Sequence, residues 1–153
     1  MRILRAYKAE LDPTCKQVEI FLQHAGCARY AYNWGLRKKI DAYKATGKSP
    51  SAIDLHRELN QLKKLPVEDG GVPWMYESSK CAPQEALRNL DTAYKGFFRR
   101  CKSGSKAKGF PRFKSRKNGI GGFRLTGSIR ATERTVQLPV LGELRLEEHG
   151  LNG

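Results

Sequence analysis

The sequence predicts an α+β protein in which a small β-sheet is interrupted by a block of helices, and three observations carry that expectation. Between residues 12 and 104, apolar side chains recur at steps of three and four, the period of a buried helix face. After residue 117 the pattern changes to short runs rich in Leu, Val, Ile and Thr, bounded by Gly, Glu or Pro. Residues 2–10, RILRAYKAE, read as a half-buried strand able to pair with an open edge of the later sheet. The helices are then an insertion between the first strand and the others, which are expected to form a small barrel or curled sheet.

In chain order, Asp12-Pro13 supplies a start for the first helix, because Asp caps orphan amides and Pro costs nothing at the first helical position. Val18, Phe21, Leu22 and Ala25 give that helix its apolar side, and Gly26 marks a break or a close contact. A second helix follows from about Cys27 to Tyr43, with Tyr32, Leu36, Ile40 and Tyr43 on one face. Ser49-Pro50 repeats the cap-then-proline start for a third helix carrying Ala52, Leu55, Leu59 and Leu62 and closed by Leu65-Pro66. Residues 67–73 form a turn, and Trp74 to Tyr76 a short apolar cluster. Pro83 opens the fourth and longest helix, with Ser79 as an outer cap and Leu87, Leu90, Tyr94, Phe97 and Cys101 on its buried face. Strands are expected in FRLTG, SIRAT, TVQLPV and ELRLEE, with period-two alternation at Phe123/Leu125 and Val136/Leu138.

A chain of 153 residues with 39% hydrophobic composition has enough apolar surface for one folded unit or two small ones sharing a core. Its formal charge of +14 points to a polyanion, because each phosphate neutralised by Lys or Arg releases a condensed counterion. No stretch approaches the 18 or so apolar residues that span a bilayer. Charges at positions 2, 5, 8 and 10 leave no apolar core for a secretory signal, so a cytoplasmic protein is expected. Cys15, Cys27, Cys81 and Cys101 lack the paired spacing of a zinc site and read as reduced thiols, with no metal and no cofactor called for.

The charge is concentrated. Arg99, Arg100, Lys102, Lys106, Lys108, Arg112, Lys114, Arg116 and Lys117 place nine cations in 19 positions without one acid, whereas residues 118–153 carry four of each sign. Nine like charges held close together repel one another and call for an external polyanion. Phe110 and Phe113 lie among them, and two roles are open to these rings: stacking on bases, or anchoring the loop to the fold. Arg37, Lys38 and Lys39 form a smaller cluster for which solvation and the helix macrodipole are sufficient explanations. Catalytic signals are weak. Glu68-Asp69 and Glu147-Glu148 are sequence neighbours rather than acids from separate elements, and His24, His56 and His149 have no ligand spacing.

The segments ILRAYKAELDPT, CARYAYNWGL, PSAIDLHRELNQLKK, CAPQEALRNLDTAYKGFFRRCK, GFPRFKSR and FRLTGSIR together resemble the N-terminal part of the TnpB (OrfB) proteins of bacterial insertion sequences, a region often described as a transposase helix-turn-helix. The resemblance covers nearly all of residues 2–149. It implies an RNA-guided DNA endonuclease family related to type V CRISPR effectors. The implied architecture is a wedge-like β-barrel begun by residues 1–11, interrupted by a four-helix recognition insertion over 12–104, and resumed over 105–153 after the basic loop. The resemblance further implies guide RNA and target DNA as partners, with Arg99 to Lys117 on the nucleic-acid backbone and Ser79, Lys80 and Gln84 reading a short motif beside the target. Family members cut DNA with three acids in a nuclease domain after the barrel, and usually carry a zinc ribbon of Cys pairs. This sequence stops at Gly153, about where that domain begins, so the expectation is a chain that binds without cutting, with a separate nuclease chain or self-association as further partners. The alternative is a stand-alone helix-turn-helix DNA binder that represses its own element.

Overall fold

The computed structural model describes residues 1–147; Glu148 and His149, considered above, lie outside the described residues. Three α-helices, rather than four, precede the basic segment: α1 (Cys15–Thr46), α2 (Ala52–Leu62) and α3 (Cys81–Lys102). The two helices expected on either side of Gly26 are one 32-residue helix. A single interior glycine costs about 1 kcal/mol relative to Ala, too little to break a helix that packs along its length. Gly26 is not a close contact either, since a Cβ placed there would meet only the Arg29 guanidinium, at 3.9 Å.

The close approach is at Gly35. A Cβ there would stand 2.7 Å from Leu87 Cδ2, 3.0 Å from Leu90 Cδ2 and 3.4 Å from Leu55 Cδ1, so the helix backbones meet at this level only because the residue has no side chain. Around it lies the core: Cys27, Ala28, Ala31 and Leu36 of α1, Leu55 and Leu59 of α2, Met75 between helices, and Leu87, Leu90 and Tyr94 of α3. The buried face of α1 mixes small residues with His24, Tyr32, Leu36 and Lys39, and Val18 and Leu22, expected inside, are 40% and 37% exposed. The two glycines should respond oppositely to alanine. Gly35→Ala overpacks the junction and lowers stability by about 1–2 kcal/mol after its gain in helix propensity, whereas Gly26→Ala raises stability by up to about 1 kcal/mol. Urea denaturation of both variants checks this, and equal shifts would contradict the packing.

The helix starts also differ from the Pro-based expectation. Thr14 caps α1 in a reciprocal capping box with Gln17, while Asp12 pairs with Arg145 across the sheet at 3.2 Å. Ser51 caps α2 in a second box with Asp54. Both prolines simply precede the caps. α3 begins at Cys81, two residues before Pro83, whose missing N–H would be an orphan in the first turn in any case.

One ionic junction ties the three helices together. Lys39 Nζ, on α1 and almost wholly buried, donates to Asp91 Oδ1 of α3 and to the Pro50 carbonyl, each at 2.6 Å. Asp91 Oδ2 in turn accepts from the Ala52 N–H at 2.8 Å, the first amide of α2.

The described strands form an open antiparallel sheet in the order β1-β4-β3-β2: β1 (Leu11–Asp12), β2 (Arg130–Ala131), β3 (Thr135–Leu138) and β4 (Gly142–Leu146). Leu11 faces Leu146 and Asp12 faces Arg145, so the first strand joins the last across the whole helical block. The strand expected at residues 2–10 is not formed. Only one further bond, from the Glu147 N–H to the Glu10 carbonyl at 3.0 Å, extends the pairing. Within 1–10 every residue but Ala9 is exposed, so no apolar contact fixes that segment as a strand. FRLTG is not a strand either, because Phe123 leaves the sheet and packs on Phe21 and His24 of α1, with ring centroids 5.8 and 5.0 Å away.

Candidate nucleic-acid interface

Residues 103–129 form no long element; they lie over the α1 and α3 faces and are held there through backbone groups by three helical side chains. Arg100, at the end of α3, donates from Nε to the Lys108 carbonyl at 2.6 Å and from its terminal nitrogen to the Gly109 carbonyl at 3.1 Å. Asn33 of α1 accepts the Lys114 N–H at 2.7 Å and donates to the Lys114 carbonyl at 2.8 Å, as a strand partner would. Arg29 donates to the Ile120 carbonyl at 3.2 Å. The ribbon is therefore fixed at three points, and of its nine cations only Arg100 is used to fix it.

Rings supply the remaining anchors. Phe110 meets Tyr94 and Phe97 edge to face at 5.6 and 5.1 Å, and Phe113 lies beneath the Arg37 guanidinium at 5.0 Å. Each ring remains close to half exposed, so anchoring is the role the geometry gives them while one side stays open to a base. Pro111, between them, is buried.

The nine cations divide by what they touch. Arg100 is half-buried and engaged on the ribbon's own carbonyls, which removes it from the set expected to meet phosphate. Lys114 Nζ stands 4.4 Å over the Tyr32 ring. Arg99, Lys102, Lys106, Lys108, Arg112, Arg116 and Lys117 are all exposed. Among the described residues, no carboxylate pairs with any of the nine, and all five ion pairs use cations from elsewhere in the chain. The Arg37, Lys38 and Lys39 cluster shows the contrast. Arg37 covers Phe113, Lys38 pairs with Glu58 at 2.7 Å, and Lys39 is the buried junction.

The ribbon and helices enclose a cleft of about 550 Å³ whose floor includes Ala25, Ala28, Ala82 and Ala86 and whose rim carries Arg29, Arg112, Lys114 and Arg124. Arg29, Asn33 and Arg124 were invisible to a reading of charge runs. Asn33 did leave one trace, an amide of weak helix propensity in mid-helix that must have a tertiary use. Asn33→Ala leaves the Lys114 N–H and carbonyl without their partner. Hydrogen exchange over residues 110–118 should then rise about tenfold or more, corresponding to loss of roughly 1.5 kcal/mol of local stability. Unchanged exchange would mean that the ribbon is held by other contacts.

At the other end of α3, Ser79 is turned inward. Its N–H donates to His24 Nε2 at 3.0 Å, while its hydroxyl accepts the Cys81 N–H at 3.3 Å. Buried His24 completes the link with Nδ1 on the Ile20 carbonyl at 2.8 Å, so this serine supports the helix start rather than a surface. Lys80 is exposed and Gln84 half-buried, one helical turn apart. Nearby, Cys81 Sγ lies 3.3 Å from the Thr126 hydroxyl, which lowers the thiol pKa against the opposing effect of burial. Burial, then Lys63, Arg88 and Lys80, push the His56 imidazole below its ordinary value. Among the described residues no three His, Cys, Asp or Glu side chains converge as metal ligands, and no helix is long and apolar enough to cross a membrane.

Comparison with known proteins bears on this geometry. The helix-turn-helix domain family of OrfB and IS605-type elements matches residues 1–48. That span holds β1 and α1, and α2 begins after it. Two relatives carry the name "Putative RNA-guided DNA endonuclease". The first, from Streptomyces pristinaespiralis, is 30% identical over 127 residues, covering 83% of this chain and 29% of the relative. The second, InsQ of Escherichia coli K12, is 28% identical over 147 residues, covering 95% of this chain and 34% of the relative. The chain thus spans about a third of the length of the curated relatives it matches.

Proposed function

Because this chain belongs to the TnpB/OrfB family, a nucleic-acid-binding group of transposon proteins, we propose that it grips a structured guide RNA and the guide–target duplex along the 99–117 ribbon. Lys80 and Gln84 then read a motif in the adjoining DNA, with Ser79 holding the helix start that carries them. In this reading the open sheet is the described part of a wedge-like barrel.

The observation that carries the proposal is the absence of acidic partners for the ribbon cations among the described residues, on a backbone fixed by Arg29, Asn33 and Arg100. A backbone already held in place loses little loop order on meeting a phosphate chain, and cations without acidic partners break no bridge to do so. The alternative, a helix-turn-helix repressor, needs α2 to enter a major groove. The exposed face of α2 carries Asp54 and Glu58 beside Arg57, which makes it a poor surface for phosphate.

Sequencing of RNA that copurifies with the protein tests the reading, together with competition between that RNA and a duplex of equal length. One enriched structured RNA that outcompetes the duplex is the expected result. A duplex that wins clearly would favour the repressor.

A further inference from the structure

A second cleft, of about 460 Å³, opens beside the ribbon between α1 and the 73–78 turn. Tyr30 and Trp74 form one wall, edge to face, with centroids 5.3 Å apart and planes at 86°. They are 37% and 40% exposed. Cys27 and Ser78 line the back. Ser78 is 8% exposed and its hydroxyl makes no well-formed hydrogen bond; burial pushes the neighbouring Cys27 thiol pKa up, and the nearness of Ser78 only partly opposes it. Gln23 and Glu77 stand at the rim, and Glu77 has no ion-pair partner among the described residues.

We propose that this cleft receives one unpaired nucleobase bearing an exocyclic amine, namely adenine, cytosine or guanine, from the strand held on the ribbon; the proposal rests on the nucleic-acid reading above. The chemistry of the wall selects a flat aromatic occupant, because two half-exposed rings offer a stacking face that every base can use. The rim excludes a phosphate, since Glu77 would repel it, and favours a donor edge, since a carboxylate only accepts. An exocyclic amine is such a donor, whereas uracil sets two carbonyl oxygens beside its single N–H. Gln23 and the unpartnered Ser78 hydroxyl can each donate or accept, and complete the reading of the edge. Arg29 lines both clefts, so a strand whose phosphates follow the ribbon passes the mouth of this one.

The protein has two tryptophans, Trp34 and Trp74, so a Trp34→Phe background leaves Trp74 as the only indole reporter. Titration with the oligoribonucleotides rA12, rC12 and rU12 at 50 mM salt should quench Trp74 with rA12 and rC12, which bind about tenfold tighter than rU12. Trp74→Leu, read by the fluorescence anisotropy of labelled oligonucleotides, should abolish the preference. Glu77→Gln, which keeps the shape and leaves folding intact, should narrow it to about twofold, because an amide can also donate. If rU12 binds and quenches as well as rA12 and rC12, or if Glu77→Gln leaves the preference intact, the base-pocket proposal is overturned while the polyanion reading stands. If none of the three binds at 50 mM salt while a structured RNA or duplex does, the base pocket alone is overturned; if no nucleic acid binds, both fail.

Discussion

Replacing Arg99, Lys102, Lys106, Lys108, Arg112, Arg116 and Lys117 together by Gln is expected to lower affinity for RNA and DNA by about 10³-fold or more at 0.1 M salt. The figure is a floor: by counterion release, about six cations that meet phosphates contribute roughly five decades in all at that salt concentration. The same variant should keep its thermal midpoint or gain a little. None of the seven is ion-paired with a described carboxylate, so their removal breaks no bridge and relieves like-charge repulsion. Arg100 stays in place because it holds the Lys108 and Gly109 carbonyls, and its loss would confuse a change in charge with a change in shape. Calorimetry alongside filter binding separates the two. A variant that loses both stability and binding would show that the ribbon is structural in a way its contacts do not reveal.

The largest loss of stability is expected from Asp91→Ala, at about 3–5 kcal/mol. The substitution leaves the buried Lys39 ammonium with the Pro50 carbonyl and the Tyr94 ring face 5.0 Å away, but no counter-charge. It also removes the acceptor for the first amide of α2. Replacing Lys39 and Asp91 together by Met and Leu should cost less than Asp91→Ala alone, because no unpaired charge is then left inside. Denaturant midpoints for the single and double variants check the order. A double variant less stable than the single would mean that the pair stabilises the fold beyond neutralising itself.

The sequence made the framework legible where burial relies on large side chains. Leu87, Leu90 and Tyr94 of α3 and Leu55 and Leu59 of α2 are buried on the faces their spacing indicates. It misled where burial relies on small ones. In α1, Tyr32 and Leu36 are buried as their spacing indicates, but Ala28, Ala31 and Gly35 are buried beside them without a bulky pattern to mark them, and Val18, Leu22 and Tyr43, expected inside, are exposed. The capping boxes Thr14/Gln17 and Ser51/Asp54 carried a readable signal that the prolines beside them overshadowed. Phe123 could not be placed from alternation, because its partners Phe21 and His24 lie about 100 residues earlier.

For the candidate site, the cations were plain in the sequence and their supports were not. Charge density is a local property, whereas the hold of Asn33 on Lys114 spans 81 positions, and its one trace, a weak helix former in mid-helix, does not name the partner. The same limit explains Ser79. Its place outside the helix start was legible and its hydroxyl does accept the Cys81 N–H, but the resemblance alone gave it a motif-reading role, and His24, 55 residues before it, draws its backbone into the core.

The salt dependence of binding tests the central claim most directly. For the unaltered chain on one structured RNA or duplex DNA, the logarithm of the association constant should fall with the logarithm of salt at a slope of about −5 on duplex, and the seven-Gln variant should flatten it to about −1 or less. Equal slopes for the two proteins would contradict the claim that this ribbon holds the phosphate chain.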